Sequence, residues 1–81
     1  MTADEMFKEL GYEKKEKKEY SYFEYNKKNT KVGETYTISF DIPSKTIMSA
    51  LYIKGFIMSR ALAMTPQEVK ALNKKVEELE W

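Results

Sequence analysis

The side chains here that could do chemistry are tyrosines, lysines, serines and carboxylates, because the chain contains neither histidine nor cysteine. Acid–base catalysis near neutral pH most often relies on a group titrating there, above all an imidazole. Ser39, Ser44, Ser49 and Ser59 have no such partner to activate them, and no serine–lysine signature stands in its place. Glu24 is the one acid inside an aromatic run, and there it reads as the wet face of an edge strand. Gly11, Gly33 and Gly55 are isolated, so no phosphate-cradling loop is present. Glu77, Glu78 and Glu80 lack the spacing of a calcium loop, and a transition-metal site has no imidazole or thiolate to draw on. The expectation is a protein that is not an enzyme and uses neither cofactor nor metal.

What remains is binding. Tyr20, Tyr22, Phe23 and Tyr25 precede Lys27, Lys28 and Lys31. Aromatic rings on a sheet can stack on bases while flanking lysines neutralise phosphates. Tyr20, Tyr22, Tyr25, Lys27, Lys28 and Lys31 are therefore candidate contacts for single-stranded nucleic acid. Strand alternation works against that set, because it sends Tyr22 and Tyr25 to opposite faces.

A protein interface is the better-supported class. From Ile47 to Met64 the chain is apolar on both potential strand faces, with Ile47, Leu51 and Ile53 on one and Met48, Ala50 and Tyr52 on the other. A face left uncovered would hold a protein partner or a second copy, and methionine suits an adaptable contact. Met48, Ala50, Tyr52, Phe56 and Met58 are the candidate interface. A protein partner or weak homodimer is the first expectation, and nucleic acid the second.

These residues need elements to position them. Thr2-Ala3-Asp4-Glu5 fits a capping box for a helix over residues 3–10, closed by Gly11. Residues 13–19, EKKEKKE, read as a solvated charged linker. Tyr20–Lys27 is rich in strand-forming aromatics. Tyr36, Ile38, Phe40 and Ile42 alternate with Thr37, Ser39 and Asp41, which predicts a strand with one buried and one wet face. Thr46–Ile53 follows, and Lys54-Gly55 suits a two-residue hairpin into Phe56–Leu62. A helix from Lys45 to about Ala61 competes with that hairpin. Mid-segment Gly55 and the β-formers Ile53, Phe56 and Ile57 favour strands. Thr65-Pro66-Gln67-Glu68 then caps a helix over residues 66–80 whose Val69, Leu72, Val76 and Leu79 form one stripe. Its Lys-then-Glu order opposes the helix dipole, so its end is expected to fray.

The whole is one α+β domain spanning residues 1–81: an N-terminal helix, an antiparallel meander of three to four strands over about 20–62, and a C-terminal helix, both helices on one sheet face. With 81 residues, 14 basic and 13 acidic groups and a net charge of +1, the chain has no global field for nucleic acid or membrane. Its apolar stretch is interrupted by Lys54 and Arg60 and reads as core, not as a membrane span. The N-terminus is acidic without an apolar core, so no leader is expected and the cytoplasm is the default compartment.

The opening TADEMFKELGYEK, the central ISFDIPSKTI and the close TPQEVKALNKKVEELEW resemble small uncharacterised proteins encoded by phages and prophages of Gram-positive bacteria. That family commonly ends in Gly-Trp where this chain has Glu80-Trp81, so the turn role of that glycine is missing. The resemblance implies a phage origin, a bacterial cytoplasm and an accessory role. It assigns no residue a function.

Overall fold

The structure, a computed structural model, describes residues 1–29, 31–60 and 63–81. Helix α1 spans Ala3–Glu9 and helix α2 spans Pro66–Glu78. Between them lie strands β1 (Glu13–Lys17), β2 (Tyr22–Asn29), β3 (Glu34–Asp41), β4 (Thr46–Ile53) and β5 (Phe56–Ser59). They form one antiparallel meander in the order β1-β2-β3-β4-β5. The sheet has five strands, not three to four. The extra one is β1, which occupies most of the run expected to be a linker. Its five residues are all charged and exposed, so no apolar alternation marks it. It exists because its backbone pairs with β2, from Glu13 opposite Asn26 to Lys17 opposite Tyr22. A short 3-10 turn, Lys18–Tyr20, then reverses the chain.

Both helices begin with the expected capping boxes. The Thr2 and Thr65 hydroxyls accept from the Glu5 and Glu68 amides, and each Glu carboxylate reaches back to its threonine N–H. Both also end alike. At α1 the Tyr12 and Gly11 amides donate to the Phe7 and Lys8 carbonyls, with Gly11 at φ +92°. At α2 the Trp81 and Glu80 amides donate to the Val76 and Glu77 carbonyls. Glu80 takes φ +58° itself and supplies the turn that a glycine would make more cheaply. The helix end is thus closed, and Trp81 lies 6.1 Å from Phe40, ring to ring. The β4–β5 connection is the expected tight hairpin, with Lys54 and Gly55 both at positive φ. Ala61 and Leu62, the last residues expected of that final strand, lie outside the described residues.

The register places Phe23, Tyr25, Tyr36, Ile38 and Phe40 on the face that meets the helices. Phe7 of α1 stacks on Tyr25 at 4.0 Å, Phe23 stacks on Phe40 at 5.0 Å, and Ala71 of α2 closes the cluster. Of the expected stripe of α2, Leu72 and Leu79 pack against the core while Val69 is 42% exposed. The most buried line of the helix centres on Ala71, with Glu68 and Lys75 on either side. These two ionisable residues are tolerated there because each is paired. Glu68 accepts from the Tyr12 hydroxyl and lies 3.9 Å from the Lys27 ammonium. Lys75 reaches Asp4 at 3.4 Å and Glu78 at 3.8 Å, over the Phe23 ring.

Candidate functional site

Two surfaces of the sheet offer themselves. One is the face turned away from the helices. It carries Lys15 and Lys17 from β1, Tyr22, Glu24, Asn26 and Lys28 from β2, Thr35, Thr37 and Ser39 from β3, and Met48, Ala50 and Tyr52 from β4. Its centre is not wet as the alternation of β3 suggests. Thr37 and Ser39 are buried, and Ala50 opposite Thr37 is fully so. The Thr37 hydroxyl donates to Asn26 at 2.6 Å, Asn26 donates to Glu24 at 3.2 Å, and the Tyr22 hydroxyl donates to Glu24 at 2.5 Å. The Ser39 hydroxyl donates to the Met48 carbonyl at 3.3 Å. Burial, aided by the Glu24 carboxylate, pushes the Tyr22 phenol up to about 12. Tyr52 lines the same face as Tyr22. A trough of about 450 Å³ runs here from the β1 lysines to Gly55.

The nucleic-acid set is divided by this geometry. Tyr22 and Lys28 share the trough. Tyr25 is stacked in the core, its hydroxyl donating to Asp4 at 2.5 Å. Lys27 is on the helix side, its ammonium over the Tyr12 and Tyr36 rings. Tyr20 is exposed in the 3-10 turn, and Lys31 lies in the β2–β3 connection. Lys15 and Lys17 lie in a segment that reads as a linker, and their two-residue spacing puts them on one face because that run is a strand.

The second surface is the β5 edge. Of the expected interface residues, Met48, Ala50 and Tyr52 stay on the trough face, while Phe56 and Met58 sit on β5, 74% and 60% exposed. Ile57 between them is 40% exposed. Phe56 pairs with Ile53, and Ile57 pairs with Tyr52 before a bulge shifts the register, leaving Ser59 opposite Leu51. Exposed Val32 belongs to the same end of the sheet, where the Lys54 amide donates to the Gly33 carbonyl at 3.3 Å. Among the described residues β5 is an outer strand of the sheet.

Among the described residues no cluster of three or more acidic side chains is placed to hold a metal ion, and no helix is long and apolar enough to cross a membrane. No protein-family model, curated protein or solved structure matches this chain.

Proposed function

We propose that this chain is a non-enzymatic interaction module, a small accessory protein of the phage or prophage kind acting in a bacterial cytoplasm, and that its contact surface is the β5 edge. The observation that carries this reading is the exposure of Phe56, Ile57 and Met58 side by side on an unguarded outer strand. An outer strand with apolar side chains exposed along it is what strand addition requires. The phage setting is supported by the resemblance of both chain ends and the central ISFDIPSKTI.

The occupant is a second copy, added antiparallel about a two-fold axis. An axis through Ile57 would bring Lys54 opposite Arg60 in both halves, a repulsive arrangement. An axis through Met58 pairs that residue with its own copy and sets Ile57 opposite Ser59 and Phe56 opposite Arg60, so this register is the one used. Apolar burial contributes about 25 cal/mol per Å² before the costs of association, and a four-residue edge is small beside a standard interface. The dimer is therefore weak, and because its contact is apolar it is insensitive to salt. Sedimentation velocity over a concentration series, at low and molar salt, tests this. The expected result is a dimer that grows with concentration, survives salt and vanishes in Phe56→Ser/Met58→Ser. A strict monomer throughout, or a dimer dissolved by salt, contradicts it.

A further inference from the structure

Two sets of lysines flank the sheet on its opposite faces. Lys14, Lys27 and Lys75, on the helix side, are each matched to carboxylates: Lys14 to Asp4 at 3.2 Å and Glu16 at 3.0 Å, Lys27 to Glu68, and Lys75 to Asp4 and Glu78. Lys15, Lys17 and Lys28 border the trough and are in no ion pair among the described residues. Three lysine charges thus line the trough against one carboxylate, Glu24, which lies opposite Lys15 in the register. Tyr22 and Tyr52 add aromatic rings to the same trough, and its floor is polar. The residues lining the trough run from β1 to the β4–β5 turn, a span that suits a chain better than a compact ligand.

From these features we infer that the trough binds a short stretch of single-stranded nucleic acid, with Lys15, Lys17 and Lys28 on its phosphates and Tyr52 stacking on a base. Phosphate neutralisation by lysine and base stacking on tyrosine are the two contributions that such binding needs. Glu24, held by Tyr22 and Asn26 at the trough floor, repels phosphates and acidic side chains alike, and favours nucleic acid only through a base. The same carboxylate accepts hydrogen bonds from the exocyclic amine of a base such as cytosine. The trough is thus anion-attracting at its rim and amine-accepting at its floor, the pattern of a nucleotide. The site does not depend on pairing at β5.

Fluorescence anisotropy with labelled oligodeoxycytidine and oligodeoxythymidine strands, and with an oligoglutamate peptide, tests the inference. Three phosphate contacts predict an affinity loss of about 20-fold between about 50 and 200 mM salt. Lys15→Gln/Lys17→Gln/Lys28→Gln should weaken binding at low salt by about tenfold or more and flatten the salt dependence. Tyr52→Ala should weaken it by about fivefold or more, and cytosine strands should bind more tightly than thymine strands. Phe56→Ser, whose side chain belongs to the other surface, should leave binding unchanged. All three lysines are exposed, so the triple variant keeps its fold, checked by circular dichroism. Absence of binding at low salt, an unaltered affinity in the folded triple variant, or oligoglutamate binding as tightly as the oligonucleotides would overturn the inference.

Discussion

The two edges of the sheet are built from opposite materials. β1 presents EKKEK, charged at every position, whereas β5 presents FIMS, with three large apolar side chains exposed. Charge on an outer strand discourages pairing with another chain, and apolar residues invite it. β1 is also tied down from within: Lys14 bonds to Asp4 of α1 and to Glu16, and Phe23 beneath it carries both the Lys14 and Lys75 ammoniums at 5.0 Å. The helix contacts described above land on β1, β2 and β3. One edge is therefore held by the protein's own polar seam. The other is held by a hairpin turn and left open.

The largest test of this contrast sets a buried aromatic beside an exposed one. Phe40 is fully buried among Phe23, Tyr25 and Trp81, so Phe40→Ala should cost about 3–5 kcal/mol. That is enough to unfold a domain of this size at room temperature, and chemical denaturation measures it.

A smaller effect follows from pH. Burial works against the charged form of Asp4, but the hydrogen bonds from Tyr25 and Lys14 and the nearby Lys75 outweigh it and hold the carboxyl below its ordinary 3.8. Glu68 likewise sits below 4.5, burial being outweighed by the Thr65 amide, the Tyr12 and Thr65 hydroxyls and Lys27. Groups with depressed folded values stabilise the fold above their unfolded values, and that stability is lost as pH falls through the folded ones. Acid should thus destabilise the protein progressively below its unfolded carboxylate range and loosen α1 and β1 first. β5 has no carboxylate to lose. Thermal melts from neutral pH down to pH about 2 check the sign, and Asp4→Asn should remove part of the dependence.

Much of this architecture was legible in the residues. The two capping boxes and the Lys54-Gly55 turn are local chemistry, readable at a spacing of three residues or fewer. The alternation of Ile38 and Phe40 is equally plain. What stayed hidden depends on neighbours distant in sequence. β1 has no apolar face of its own and becomes a strand only because β2 offers it a backbone ladder. Thr37 and Ser39 look like solvent-facing residues until Glu24, Asn26 and Ala50 gather around them on the free face. Glu68 and Lys75 look like surface charges until Tyr12, Lys27 and Asp4 supply their partners. The trough was legible only in part: of its residues the nucleic-acid set held Tyr22 and Lys28, Tyr52 belonged to the expected protein interface, and Lys15 and Lys17 to neither. Glu80 departs from local preference, adopting a turn conformation that the helix end imposes on it.

The smallest stability effect belongs to the open edge. Phe56→Ala removes a ring that is mostly in water, so it should change stability by less than about 0.5 kcal/mol while weakening the dimer. A large loss of monomer stability would mean that Phe56 is core and that β5 is not a free edge.

Amide hydrogen exchange, followed edge by edge as protein concentration rises, tests the central claim most directly. If β5 is where copies meet, the Ile57–Ser59 amides gain protection with concentration, while the Lys14–Lys17 amides of β1 exchange at a constant rate. Protection that grows at β1, or at neither edge, would contradict the account.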